Sequence, residues 1–423
     1  MQSSSSTHAQ IGTLIIATSV IQLANGFFGT FISLRVATEN FGATLAGLVL
    51  SSYFAGFTLG AVRSGKIIER VGHIRAYAAF AGVVVSATAA MPLLVEPLIW
   101  CALRAIVGFG CAGVFVTTES WLSAKAPPSE RGRVFSLYMV GTFVALAVGQ
   151  LLIGRIEVKG AGPFNGIIAL FAVALVMVSS TRAEPPRVIA AEKLPYGELA
   201  RAAPIAVIGC AVSGLVSSVF YALVPAWMQE DGIKRETIAV SMLVAVVGGL
   251  AFQVPVGRLS DRNDRRVVLA ALGFGFAGAA IALVHLPPSL PVLLPVAALL
   301  GGFMSTLYPV CVANAHDRMP ADRVVAVSGR LILVSGFASV LGPLIGTNVM
   351  ARSGINGLFY FMAAAALLLA FVATGWSLAT VAPRHLRRPF EILAPQAAQL
   401  AHNPLDSSND RPLNPFGDTS EQH

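Results

Sequence analysis

The side chain best placed to do chemistry in this sequence is an arginine in apolar surroundings. Arg104 stands about seven residues, roughly 10 Å, inside an apolar run that begins at Pro97. A guanidinium near the centre of a bilayer span costs roughly 2.5–3.5 kcal/mol on insertion scales, so it is expected to face a wet cavity or a partner. The alternative is that it snorkels outward or clamps backbone carbonyls. Partners are few. Of the 21 Asp and Glu, nineteen fall in polar connections and tails, and only Glu119 and Asp317 lie near the ends of apolar runs. Glu119 is fifteen residues from Arg104, roughly 22 Å along one helix, too far to pair within it. An unpaired cation of this kind suits a solute that bears negative charge, such as a carboxylate.

Other groups have two readings each. Glu119 is either a protonation site, as carboxylates in membrane spans often are, or half of an ion-pair gate with Arg70, Arg75 or Arg131. Asp317 and His316 are the equivalent candidates in the second half of the chain, with His316 able to titrate near neutral pH or simply sitting at an interface. Polar residues also recur at helical spacing: Gln22 and Asn25; Ser213, Ser217 and Tyr221 with Trp227 beyond; Ser305 and Tyr308. Each set falls on one helix face and is a candidate cavity lining, although any single Ser is as well suited to helix–helix hydrogen bonding. Gly108-Phe-Gly110-Cys-Ala-Gly113 and Gly273-Phe-Gly275-Phe-Ala-Gly278 match G-x-G-x-x-G, but a dinucleotide site needs a preceding strand and a later acid. Inside apolar runs such glycines are expected to serve close helix packing. The histidines have no metal-ligand spacing and no Gly-x-Ser-x-Gly elbow occurs, so no metal, cofactor or enzyme activity is expected.

The elements that position these residues follow from composition. Hydrophobic residues make up 55% of the 423 residues and charged residues 12%, with a mean hydropathy of +0.73. A soluble domain carries about 25% charged residues, so most of this surface faces lipid. Apolar runs fall near 11–35, 42–62, 74–95, 97–122, 133–154 and 162–181, then near 204–228, 237–257, 267–286, 289–314, 324–350 and 355–380. Each suffices for the roughly 20 residues of a bilayer core. The fold class expected is therefore an all-α membrane protein of twelve transmembrane helices. Residues 1–10 form a tail, 11–181 and 204–380 two six-helix bundles, 182–203 a polar linker, and 381–423 a disordered tail. Of the 29 Lys and Arg, twenty-two fall in one alternate set of connections and the C-terminal tail, six in the opposite set, and Arg104 within a span. That asymmetry puts both termini and the linker in the cytoplasm of a cell-membrane protein. It also explains the +8 net charge without nucleic acid, whose binding needs one clustered basic face. Cys101, Cys111, Cys210 and Cys311 all lie in apolar runs and are expected to be small packing residues.

The two bundles look like copies. The connection after the second run reads Gly65-Lys-Ile-Ile-Glu69-Arg70-Val-Gly72-His73-Ile-Arg75, and that after the eighth reads Gly257-Arg-Leu-Ser-Asp261-Arg262-Asn-Asp264-Arg265-Arg266. Both follow Gly-x-x-x-acid-Arg, 192 residues apart, and Gly149-Gln150 matches Gly342-Pro343 at a separation of 193. Transporters often build a site between such repeats.

With these motifs the chain resembles the major facilitator superfamily over about residues 11–380. The family's loop signature, Gly-x-x-x-Asp-Arg-x-Gly-Arg-Arg, is altered here: Glu69 stands for the acid, His73-Ile74 for the two bases, and Asp264 for the second copy's glycine. Arg104 and Gly108 match the fourth-span Arg-x-x-x-Gly, and Glu119 followed by Arg131-Gly132 matches the element after span four. Drug/proton antiporters of the family carry Gly-Pro in span five, where this chain has Gly149-Gln150. The resemblance implies a monomeric secondary transporter in a lipid bilayer. It would move a small organic solute by alternating access, coupled to protons, with a cavity lined by spans one, four, seven and ten. A multidrug antiporter, or a receptor or scaffold with the same fold, is the alternative. Expected substrate contacts are Arg104, Gln22, Asn25, Tyr221, Trp227 and Tyr308. The expected gate comprises Gly65, Glu69, Arg70, Gly72, Arg75, Glu119, Arg131, Gly257, Asp261, Arg262, Arg265 and Asp317. In that gate Glu69 and Asp261 would each sit against the N-terminus of a neighbouring helix and a nearby Arg.

Overall fold

A bilayer offers no partner for backbone N–H and C=O groups, so a spanning segment must satisfy them internally. The computed structural model describes residues 2–39, 41–127, 129–180, 196–287, 289–320 and 323–379, and in these every long apolar segment is a helix. The first half contains α1 (Gln2–Thr38), α2 (Ala43–Val71), α3 (His73–Ala90), α4 (Pro97–Lys125), α5 (Arg131–Leu151) and α6 (Gly162–Ser179). A short helix, α7 (Tyr196–Ala202), precedes the second half: α8 (Pro204–Glu230), α9 (Arg235–Arg262), α10 (Arg265–His285), α11 (Leu290–His316), α12 (Val324–Ser353) and α13 (Gly357–Ala379). Twelve of these are long and apolar enough to span a membrane.

Helix ends and apolar ends do not coincide. Hydropathy ends the second span near residue 62, but α2 continues to Val71 with Arg63, Lys66, Glu69 and Arg70 on its last turns. It stops at Gly72, whose φ of 82° lies in the left-handed region that a side chain disfavours. In the second copy Asp264 takes the same place at φ −63° and its carboxylate accepts from the Arg266 N–H, capping α10. A cap has replaced the glycine turn. At the other margin, α1 begins at Gln2, so the helix runs back through the ten residues expected to be a tail. Its His8 imidazole contacts Glu130 at 3.0 Å. The linker expected over 182–203 contains α7, anchored by buried Leu199 and Ala203 and by a Glu198–Arg323 ion pair. Residues 182–195 of that linker, and the tail 381–423, lie outside the described residues.

The internal repeat is visible in the packing. A Cβ on Gly149 would stand 2.2 Å from the Leu23 carbonyl oxygen, and one on Gly342 2.2 Å from Ser218 Oγ and 2.9 Å from the Leu215 carbonyl oxygen. The glycine pair therefore marks one crossing, α5 on α1 in the first half and α12 on α8 in the second. Next to it, the buried Gln150 amide donates to the Gly26 carbonyl at 2.9 Å and accepts from Thr30 Oγ1 at 2.6 Å. The G-x-G-x-x-G glycines also serve packing. A Cβ on Gly108 would meet the Tyr53 carbonyl oxygen at 2.0 Å, and Gly110 and Gly113 abut Val84 and Phe80. Gly273 and Gly275 abut Ala366 and Phe303, whereas Gly278 has open space.

Candidate functional site

The two halves meet along α2 and α12, with further contacts of α5 on α9 and α1 on α8. The described inter-half hydrogen bonds cluster at the end of the bundle away from α7, here called the far end. Thr44 Oγ1 donates to Asn348 Oδ1 at 3.1 Å, the Ala226 N–H to Ser33 Oγ at 3.2 Å, and Arg235 to the Ile156 carbonyl at 2.8 Å. Between this seal and the α7 end lies a cavity of about 880 Å³, a volume that includes open solvent. Its wall comprises Tyr53, Phe54, Phe57 and Thr58 of α2, Ser213, Ser217 and Tyr221 of α8, Ser305 and Tyr308 of α11, and Ile332, Ser335 and Ser339 of α12, among others.

Arg104 is one layer behind this wall. Gly108, one turn further on, lets α4 press against the backbone of Tyr53, which brings the Tyr53 ring to 4.5 Å from the guanidinium carbon. Phe28 of α1 lies on another side at 5.3 Å. Arg104 is only 5% exposed, its Nε has no hydrogen-bond partner, and among the described residues no carboxylate pairs with it. Two ring faces, each worth about 0.5–2 kcal/mol to a cation, offset part of its burial cost. The Tyr53 hydroxyl donates to Asn25 Oδ1 at 3.1 Å, and Asn25 Nδ2 reaches Gln22 Oε1 at 3.4 Å. Gln22, Asn25 and Arg104 thus form one buried group screened from the cavity by Tyr53.

Of the other expected contacts, Tyr221 and Tyr308 line the cavity and Trp227 does not. The Trp227 indole donates to Asn356 Oδ1 at 3.1 Å and packs edge-on against Phe359 at 4.7 Å, beside a separate small cavity within the second half. Its stripe on α8 continues past the end of the central cavity. The lining from α2 and α12 was not anticipated. Aromatic residues in an apolar run look lipid-facing, and only the four-residue spacings of Tyr53 with Phe57 and Ser335 with Ser339 hint otherwise.

In the second half the expected charge network forms around two buried arginines. Arg265, 3% exposed, lies 2.8 Å from Asp317 Oδ2 and 3.5 Å from Asp261 Oδ1. Arg266, 1% exposed, holds Asp264 at 2.6 Å and donates to the Trp376 carbonyl at 3.1 Å. Burial alone would raise the Asp264 carboxyl, but its hydrogen bonds to Arg266 outweigh that and hold it below its usual value. The α10 N-terminus is thus capped by Asp264 and not by Asp261. Gly257 is buried and Arg262 exposed. In the first half Glu69, Arg70 and Arg75 lie at the surface, and among the described residues no ion pair includes them. A Cβ on Gly65 would meet open space. The Arg265 position is His73, whose imidazole contacts Ser120 Oγ at 3.0 Å. Glu119 is deeper than expected, 3% exposed, with the Tyr138 hydroxyl donating to it at 3.3 Å, and Tyr308 lies within its Coulombic reach. Arg131 opens α5, and His316 contacts Ser328 Oγ at 2.9 Å.

Comparison with known proteins agrees with this architecture. The family model described as Major Facilitator Superfamily matches residues 14–251 and 206–407. An MFS-type transporter, YcaD, of Shigella flexneri serotype 5b (strain 8401) is 29% identical over 357 residues, covering 82% of this chain and 91% of its own. Its counterpart in Escherichia coli O9:H4 (strain HS) is 29% identical over 372 residues, covering 86% and 95%. Among solved structures, the nucleoside transporter NupG superposes with a TM-score of 0.71 at 12% identity, covering 86% of this chain and 98% of that one. A bacterial homologue of the human lysosomal transporter Spinster, inward-facing and unoccupied, gives 0.68 at 17% identity, covering 88% and 96%. At such identities these two speak for the fold alone. Twelve spanning helices, the repeated loop and the family match over both halves make this chain a member of the major facilitator superfamily of membrane transporters.

Proposed function

We propose that this chain is a secondary active transporter that carries a small organic solute across the cell (inner) membrane by alternating access, as a monomer and coupled to protons. The observation that carries this reading is a cavity between the two halves, sealed at one end by Thr44–Asn348, Ser33–Ala226 and Arg235–Ile156 contacts. A receptor or scaffold has no need of a chamber at the seam along which its halves would rock. With the termini and linker cytoplasmic, as the Lys and Arg distribution implies, the sealed end is extracytoplasmic and the state is inward-facing.

Glu119 is the favoured proton carrier. It is buried, accepts from the Tyr138 hydroxyl, and reaches electrostatically to Tyr308 on the cavity wall. Asp317 and His316 are poorer candidates, because Asp317 is held against Arg265 and serves the gate better. A second reading, an anionic solute, is favoured by Arg104 lacking a carboxylate partner among the described residues. It requires Tyr53 to swing off the guanidinium. A multidrug antiporter is disfavoured by Gln150, which bonds α5 to α1 where antiporters of the family carry proline.

The test is flux in proteoliposomes holding a pH-sensitive dye, with metabolite pools offered to either side. Solute uptake with matched proton movement is expected, and Glu119→Gln should abolish net coupled flux while leaving solute exchange. Arg104→Lys and Arg104→Ala both transporting at the unmodified rate would remove the anionic reading. No flux of any pool in either direction would leave the scaffold alternative standing.

A further inference from the structure

The central cavity is chemically two-sided. On the α2 side it offers rings, Tyr53, Phe54 and Phe57, with Tyr53 lying 5.4 Å from Phe54 edge-on and 5.9 Å from Phe57. Facing them, α8 and α11 present hydroxyls. Ser213, Ser217 and Tyr221 recur along one face of α8, and Tyr308 stands on α11. Among the described residues none of these four hydroxyls has a hydrogen-bond partner, and that of Tyr308 is fully buried. A buried hydroxyl without a partner costs about 1–3 kcal/mol, a cost that a bound polar group removes. The other cavity hydroxyls include some already engaged: Ser218 donates to the Leu215 carbonyl and Ser339 to those of Gly214 and Ser335.

Among the described residues no charged side chain lines this cavity. Two charges of opposite sign stand one layer back, Arg104 behind Tyr53 and Glu119 in reach of Tyr308. An ion in the chamber would leave water without gaining a direct counter-charge, which is unfavourable for a whole charge. A neutral molecule with a flat face and several hydroxyl or carbonyl groups loses little, because rings cover its face and free hydroxyls replace its water.

The geometry points to an uncharged, hydroxyl-rich ring compound as the solute, stacked on Phe54 and Phe57 and hydrogen-bonded by Ser213, Ser217, Tyr221 and Tyr308. This assignment rests on the transporter reading above and narrows its substrate to one side of the charge question.

The purified full-length chain is tested by thermal stabilisation against three probe sets of matched size. These are nucleosides and aryl glycosides, hydroxybenzoates and uronates, and lipophilic cations such as tetraphenylphosphonium. Stabilisation by the first set alone is expected. The Kd of its best member should rise about tenfold in Phe57→Leu and in Tyr308→Phe, roughly the loss of one ring face or one hydrogen bond. Phe57→Leu keeps most of the side-chain volume, so a folded variant is obtained for the comparison. Greater stabilisation by the carboxylates or cations, no stabilisation by any set, or unchanged affinity in both variants overturns the assignment. Flux separates this from the parent reading: a neutral binder that does not cross in liposomes sinks the transporter and leaves the ligand class intact.

Discussion

At residue 264 the two copies of the loop part company, and the difference is one of chemistry. Gly72 turns the first copy with a left-handed backbone, whereas Asp264 turns the second by capping α10 and holding the buried Arg266 guanidinium. The Asp264 carboxyl is held below its ordinary value despite its burial. A depressed carboxyl contributes stability that is fully present above the unfolded value and lost as pH falls through the folded one. Asp264→Asn should therefore lower stability by about 1–2 kcal/mol at pH 7, a figure kept small because the pair is partly exposed. The gap between variant and parent should close as the pH is taken down through the carboxylate range, where the parent carboxyl is itself protonated. Thermal unfolding of both proteins from about pH 7 to about pH 3, a window that brackets the ordinary carboxylate range, checks this; a gap constant over that range would show that Asp264 acts by shape alone.

At the scale of helices, glycine placement sets how closely spans cross. Gly149 and Gly342 sit at equivalent crossings where an added Cβ would fall 2.2 Å from a neighbouring atom, while Gly278 faces open space. Gly149→Leu and Gly342→Leu should each cost about 1–3 kcal/mol or more through overpacking. Gly278→Ala should be neutral or slightly stabilising, since alanine is the better helix former. Detergent-solubilised melting temperatures decide it, and equal effects at all three positions would refute the packing account. These crossings were legible as a repeat in the sequence because hydropathy and motif spacing are local properties of the chain. The spans were legible for the same reason, although the charged extension of α2 to Val71 was not: apolarity reports where lipid ends, and the helix ends only where Gly72 turns the backbone. The site was half legible. Ser213, Ser217 and Tyr221 declare one face by spacing alone. Whether that face meets the other half, as it does at Tyr221, or turns into its own half, as it does at Trp227, depends on how far the chamber extends. Likewise Tyr53 screens Arg104 only because Gly108 draws α4 onto α2, a contact between segments about fifty residues apart.

For the molecule as a whole, the question is whether the far-end seal is a permanent interface or one side of a cycle. Its described polar contacts are few: two neutral hydrogen bonds that involve side chains, and Arg235 on a backbone carbonyl, each worth about 0.5–1.5 kcal/mol net, more where charge assists. A seal of that strength can be exchanged for solute contacts, whereas a large apolar interface could not. The α2–α12 seam has the same character, with Gly47 against Thr347 at its far end and Gly336 against Thr58 at its middle. Placing cysteines at Thr44 and Asn348, whose side chains touch at 3.1 Å, on a background lacking the four native cysteines, tests the cycle directly. A short bifunctional thiol reagent should cross-link the pair rapidly and stop flux almost completely, with recovery when a cleavable linker is reduced. Solute binding from the α7 side should survive the cross-link if, as proposed, holding the far end shut leaves the cavity open to that side. Undiminished flux in the fully cross-linked protein would mean that the far end never opens, and the solute would then need a route other than the seam between the halves.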